Sequence, residues 1–221
     1  MTNYFSALVL TALIGGTACA DDKSPATAKP VAKPAAAPAA APASPAPASS
    51  APAAGAVAHY VQATGSSLGF TFEQVGAQSN GAFKQFATTL DYDEKNLATS
   101  KLSVKVQIGS LDTQDKDRDS TLASADLFDV QKYATATYTA ASLVKGANGV
   151  EAVGKLTIRN VTKDLRVPLT IKAAGAGLEL SGTVTIKRLD YGVGQGEWKS
   201  TESVGDAVKL TYKVMLTKAA S

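Results

Sequence analysis

An all-β fold, a sandwich or closed barrel of seven or eight short antiparallel strands, is what this 221-residue sequence predicts from His59 onward. Three observations carry that prediction. Apolar residues recur with period 2 in run after run, the spacing that places them on one face of a strand. Clusters of turn-forming residues separate the runs at hairpin-like intervals. Only one segment, from Asp119 to Tyr133, departs from the pattern and shows helical spacing instead.

The first run, "SLGFTFEQV", alternates at Leu68, Phe70 and Phe72, and "KLSVKVQIG" alternates at Leu102, Val104, Val106 and Ile108. Val150, Ala152, Leu156 and Ile158 make a third run, and Leu165, Val167, Leu169 and Ile171 a fourth. Leu178 with Leu180, Val184 with Ile186, and Val208 with Leu210 and Tyr212 complete the set, with Thr211 and Lys213 on the opposite face of the last. The Thr, Val, Ile and Tyr content suits a pleated, half-buried surface. Turn clusters fall at 145–149 ("KGANG"), 159–164 ("RNVTKD") and 173–177 ("AAGAG"). Pro168 has no N–H to give to a ladder, so its run is expected to lie at an edge or carry a bulge there. In the departing segment Leu122, Ala125 and Phe128 stand at helical spacing behind Asp119 or Ser120 as N-cap, so one short helix is expected at a barrel end.

The first 58 residues are of another kind. "MTNYFSALVLTALIGGTACA" carries an apolar run from Phe5 to Ile14, too short to span a bilayer. Small residues follow, as in a secretory signal peptide, although no Lys or Arg precedes the run. Two processing routes are open: cleavage after Ala20, or lipidation of Cys19 at a loose lipobox in which Gly16 replaces the usual Leu. Either implies export, with a periplasmic domain that is soluble or lipid-anchored. Residues 21–58 form an Ala/Pro-rich linker with eight of the nine prolines. Such a segment buries too little apolar surface to offset its ordering entropy and reads as a disordered tether, with a polyproline II reach on the order of 100 Å. The working domain is therefore residues 59–221.

Within that domain the charges nearly cancel, with 15 Lys and 4 Arg against 17 acids, and nothing interleaves basic and aromatic residues as a nucleic-acid surface would. Cys19 is the only cysteine, which leaves the domain without a disulfide or thiol chemistry. His59 is the only histidine, so neither a Ser-His-Asp triad nor a His/Cys metal set can be assembled. Asp112, Asp115, Asp117 and Asp119 fall within eight residues, yet as a calcium loop they fail: Ser120 stands where the turn needs Gly, and Asp126 where a bidentate Glu is needed. Solvated carboxylates threaded with Lys116 and Arg118 also lack the apolar setting that raises an acid's pKa for catalysis. "GVGQGEW", Gly192 to Trp198, has neither the glycine spacing nor the following helix of a phosphate loop. No metal, cofactor or enzymatic activity is expected on these grounds.

The same acidic stretch, "SLDTQDKDRDSTLASADLFDVQKY", resembles the signature of the YceI-like family of exported bacterial proteins: S-x-D-T, then R-D-x-x-L, then F-D-x-x-K-Y. Ser110, Asp112, Thr113, Arg118, Asp119, Leu122, Phe128, Asp129, Lys132 and Tyr133 supply it. "SLGFTFEQVGAQSNGAFKQF" resembles the family's opening hairpin, "GKLTIRNVTKDLRVPL" its central strands, and "IKRLDYGVG" with "VGDAVKLTYKV" its closing strands. Leu165 and Arg166, Ala134, and Leu127 depart from the pattern. The resemblance implies a lipocalin-like antiparallel barrel of about eight strands that binds a long amphiphile, an isoprenoid lipid or quinone, in its interior.

On that expectation the apolar lining comes from Phe70, Phe72, Val104, Val106, Ile108, Phe128, Leu156, Ile158, Leu169, Ile171, Val184 and Ile186. Trp198, Phe83 and Phe86 are further aromatics that either line a ligand site or fill the core. Asp112, Arg118 and Asp119 are read as structural: the two carboxylates hold the guanidinium and cap a helix that carries Phe128 toward the mouth. The partners implied are the amphiphile, a membrane reached through the N-terminus, and a homodimer that the sequence neither requires nor excludes. A different reading keeps the barrel fully packed and makes the domain a structural or interaction module on its tether.

Overall fold

The computed structural model describes residues 57–147 and 149–219. The expected signal peptide, Cys19 and all but the last two residues of the expected linker lie outside that range. Eleven strands and one α-helix follow in chain order: β1 (Ala58–Gln62), β2 (Ser67–Gln74), β3 (Ala77–Phe83), β4 (Phe86–Tyr92), β5 (Lys101–Gln107), β6 (Leu111–Asp112), α1 (Lys116–Ala123), β7 (Thr135–Gly146), β8 (Gly149–Ile158), β9 (Val161–Ala174), β10 (Gly177–Lys187) and β11 (Val204–Lys218).

Pairing reduces these to eight staves. β11 pairs with β2 through Val204–Lys213 and with β1 through Leu216–Lys218, so β1 and β2 are two halves of one interrupted strand. β3 and β4 are halves of the next, because β2 pairs with β3 and β1 with β4. β5 and β6 form the third, broken by a 3-10 turn at Ile108–Ser110. From there each strand pairs antiparallel with the next, and β11 returns to β1 and β2. The result is a closed, up-and-down, eight-stranded antiparallel barrel with a single helix. Closure removes the exposed edges that an open sheet of this size would present.

Alternation decides which side chains enter the interior. Phe70 and Phe72 of β2, Leu90 of β4, Leu102 of β5, Tyr138 of β7, Leu156 and Ile158 of β8, Val167 and Leu169 of β9, Leu180 and Ile186 of β10, and Val214 and Leu216 of β11 are all buried. The partner choice at the last strand follows the even-numbered residues, with Val208, Leu210 and Tyr212 packed on the core and Thr211 and Lys213 exposed.

One seam in the wall is incomplete. β9 pairs with β8 along Val161–Leu169, but with β10 only along Thr170–Ala174. In a regular strand both backbone groups of a residue point to the same side, alternating between neighbours. Even-numbered residues of β9 face β10, as the Pro168 carbonyl shows by accepting the Tyr212 hydroxyl. Pro168 thus sits where a ladder N–H has nothing to meet, which is the edge position its ring requires. The Tyr212 ring reaches across only because Gly182 has no Cβ; one built there would overlap both the hydroxyl and the Pro168 carbonyl.

The helix departs from expectation. α1 starts at Lys116 with Asp115 as N-cap, whose carboxylate accepts from the N–H groups of Asp117 and Arg118, each at 3.1 Å. It ends at Ala123, with Ser124 extended, so Ala125 and Phe128 lie beyond it in a turn. Asp119 is unavailable as a cap because it holds Thr113, accepting from its N–H at 2.9 Å and its hydroxyl at 2.7 Å.

Candidate functional site

The interior is not filled. A cavity of about 500 Å3 occupies the end of the barrel beneath α1, and a smaller one of about 110 Å3 lies deeper. Leu68, Val106, Ala136, Leu156 and Leu210 line both, forming a waist between two lobes of one lumen. A pocket of several hundred Å3 with apolar walls and few polar groups is the usual form of a small-molecule site.

Of the twelve lining residues expected from sequence, Phe70, Phe72, Val106, Ile108, Phe128, Leu156, Ile158 and Ile186 line the upper lobe. Val104, Leu169 and Val184 line the lower one, together with Val106 and Leu156. Ile171 lines neither: it stays half-buried and packs on the core where β9 and β10 are paired. Trp198 and Phe83 join the upper lobe and Phe86 the lower. Phe70 lies 5.1 Å from Phe83 and 6.1 Å from Phe72, centroid to centroid, so three rings tile one wall.

Phe70 lies flat because of its cross-strand partner, Gly81. A Cβ at position 81 would overlap the tip of the Phe70 ring, so the absence of a side chain there keeps the ring against the wall. This is the aromatic cover of a strand glycine, and here it also preserves lumen volume.

Two loops close the upper end, and two arginines hold them. Arg188, only 5% exposed, spends all of its donors on backbone carbonyls. Its Nε reaches Gly205, one terminal nitrogen reaches Val193 and Trp198, and the other reaches Ser200 and Val204, at 2.7 to 3.1 Å. Burial pulls its pKa down and the Asp206 carboxylate partly restores it. Arg159 donates to the carbonyls of Leu127 at 2.6 Å and Gly192 at 2.9 Å, and stacks over Tyr133. It thereby joins the segment after α1 to the loop after β10, which the backbone N–H groups of Gly194 and Gln195 also tie to the Asp126 carbonyl. Sequence reasoning missed both arginines. A bulky Arg159 at positive φ in a two-residue hairpin turn has no signature of its own in the sequence.

The acidic stretch resolves into separate tasks. Asp112 accepts from the Gln114 N–H at 2.9 Å and pairs with Lys84 at 3.1 Å; these interactions hold its carboxyl below the ordinary range. Asp115 caps α1 and pairs with Arg118 at 3.3 Å, and the Arg118 N–H is the main cause of its own lowered pKa. The guanidinium is therefore held by Asp115, and the expectation that Asp112 and Asp119 hold it is corrected. Among the described residues no three His, Cys, Asp or Glu side chains converge as a metal site would require. Asp115, Asp117, Arg118, Thr121, Gln74 and Arg188 are the polar and charged members of the upper lobe.

Farther down, Tyr212 points its hydroxyl at the seam, and Tyr138 points its own at the paired ladder of β8 and β9. The Tyr138 hydroxyl lies 2.9 Å from the Ala152 carbonyl and 3.2 Å from that of Leu165, and burial raises both phenols' pKa values. Thr88, 2% exposed, carries a hydroxyl oxygen without a partner in the lower lobe.

Comparisons with known proteins agree with this architecture. The model of the YceI-like domain matches residues 59–216. The protein YceI of Escherichia coli O157:H7 is 35% identical over 115 residues, covering 48% of this chain and 60% of its own length. The chain thus spans less than two thirds of the YceI relatives it matches in this way. Among solved structures, Burkholderia cenocepacia BcnA superposes with a TM-score of 0.65 at 30% identity, over 68% of this chain and 95% of that one. A polyisoprenoid binding domain from Saccharophagus degradans superposes at 0.57 and 15% identity, over 74% of this chain and 99% of that one, a likeness of fold alone. With the signature stretch closing the barrel's end and the family model covering the barrel from its first strand into its last, the chain belongs to the YceI-like family.

Proposed function

We propose that the barrel binds one elongated amphiphile, an isoprenoid lipid or isoprenoid quinone, with its tail in the lumen and its head at the mouth beneath α1. The observation that carries this reading is the apolar lumen of about 500 Å3 that narrows at a waist into a second lobe. At about 30 Å3 per water-sized group, the upper lobe takes roughly 17 carbon atoms, or about three isoprene units. Burial is worth about 0.8 kcal/mol per CH2 and so about 12 kcal/mol gross for fifteen carbons. Association costs about 4–15 kcal/mol against that, which leaves room for reversible carriage. The Saccharophagus degradans domain that shares this fold is a polyisoprenoid binding domain, which supports the same reading.

The activity proposed is binding and carriage without catalysis, performed outside the cytoplasm, with the linker tethering the barrel to a membrane when Cys19 is lipidated. The packed-barrel reading is less well supported, because it predicts a filled interior and a sizeable exposed apolar patch. Val57 and Val75 are the exposed large hydrophobics among the described residues. Organic extraction of natively purified protein followed by mass spectrometry tests the proposal. A co-purifying prenyl lipid, or stoichiometric uptake from micelles, is the expected result; a barrel that yields and takes up none would overturn it.

A further inference from the structure

The hairpin between β2 and β3 turns on two residues, Val75 and Gly76, because Gln74 pairs directly with Ala77. Both have positive φ, 49° and 74°, the type I′ geometry that Asn-Gly or Asp-Gly adopts without strain. A β-branched side chain in that region is an outlier, since its Cβ crowds the following carbonyl. Burial does not compensate: Val75 is 78% exposed, and Gly76 and Ala77 beside it are exposed as well. A Cβ built on Gly76 meets nothing within 4 Å, so the tip projects clear of the barrel. Three successive exposed apolar residues, the first of them strained, mark a functional feature and not a packing one. At position 75 the fold alone is better served by Asn.

The place of the tip says what it meets. Gln74, the residue before Val75, lines the upper lobe, and so does Val204, its partner on β11. The Val75 N–H donates to the Ser203 carbonyl at 2.9 Å, in the loop that Arg188 holds through Ser200 and Val204. The tip is thus a fixed part of the mouth. From Gln74 to Phe83 the hairpin has no charged residue, so no ionised group is desolvated when the tip enters an apolar medium. Resting on the amphiphile-binding reading, we propose that the Val75–Ala77 tip dips into a lipid surface and holds the mouth against it while ligand passes between bilayer and lumen. A prenyl tail crossing through water would expose all the apolar area that bilayer and lumen each cover, and direct contact removes that step. One valine and one alanine anchor too weakly to keep the protein on a membrane, which suits a contact made and broken at each transfer.

The test loads the chain with dansyl-labelled farnesol and follows its transfer to phosphatidylcholine vesicles that carry a quencher. Cys19→Ser is present throughout, so that no lipid anchor binds the vesicles. The transfer rate is expected to rise with vesicle concentration, as collision requires, and to fall about three- to tenfold in Val75→Asn, the loss of one partly buried apolar side chain. Affinity for the probe stays unchanged, since Val75 does not line the lumen. The melting temperature of Val75→Asn rises by about 2–4 °C, because Asn tolerates positive φ. Slower transfer from a more stable protein is an outcome that general damage to the barrel does not produce. A rate independent of vesicle concentration, or unmoved by Val75→Asn as a protein partner at this tip would leave it, overturns the proposal. So does a melting temperature that falls, which would give Val75 a role in the fold itself. Failure of the chain to load the probe at all instead overturns the amphiphile-binding reading beneath it.

Discussion

Arg188 shows how much a single side chain can organise. Its planar fork meets five carbonyls from the loop between β10 and β11 and from β11 itself, a set that an ammonium group cannot reproduce. Leaving one buried carbonyl unpaired costs about 1–3 kcal/mol, and only some of five can be recovered by water or relaxation. Arg188→Met, which keeps the stem and strips the donors, is expected to cost at least about 3 kcal/mol. For a barrel of this size that lowers the melting temperature by roughly 6–12 °C, read by calorimetry, with Arg188→Lys recovering less than half. A melt within about 2 °C of the unaltered protein would show that the loop holds itself. At this scale the acidic stretch was only half legible. Asp115, Asp117 and Asp119 are each acceptable N-caps by chemistry. Thr113, six residues earlier, takes Asp119 out of the choice through a side-chain contact that hydrophobic period does not register.

Among the elements, the seam between β9 and β10 is the least ordinary. Even-numbered residues of β9 direct their backbone groups at β10, which does not pair with them before Thr170. The amides of Thr162, Asp164 and Arg166 should therefore exchange with solvent within minutes, while those of Lys163, Leu165 and Val167, paired with β8, stay protected far longer. Exchange followed by NMR reads the alternation directly, and uniform protection along β9 would mean that the seam is closed in solution. Sequence anticipated this place only through Pro168. Strands with strong contrast between apolar and polar positions, β2, β5 and β8 to β11, were legible by period. β3 and β7 were not. Inward residues of β7 include Ala136 and Ala140, set among Thr and Ser, and the step from Ala to Thr is too small to mark a period. β3 presents Gly81 inward, so its apolar cover is borrowed from Phe70 on the neighbouring strand.

At the scale of the whole barrel, the quantity that matters for function is the space left over after eight staves have closed. Eight strands enclose an interior just wide enough either to be filled by side chains or to hold one elongated ligand, and the wall residues decide which. Sequence could name the inward faces but not that decision, because volume depends on how rings lie and not on which face they occupy. Here it turns on Phe70, laid flat over Gly81 beside Phe72 and Phe83. Gly81→Ala places a methyl group where the ring tip now rests. The ring must swing into the upper lobe, while the backbone, which is ordinary extended strand at that position, tolerates the substitution. A ring displaced into the lumen removes space for several of the roughly 17 carbons that the lobe can take. Affinity for a fluorescent prenyl probe is therefore expected to fall about tenfold, the equivalent of one to two buried methylenes, with the melting temperature shifted by no more than a few degrees. Unaltered affinity in Gly81→Ala, with the barrel intact by circular dichroism, would place the ligand somewhere other than this lumen. A loss of affinity shared by Gly81→Ala and absent from a surface variant such as Lys145→Ala ties binding to interior volume, which no single side chain owns.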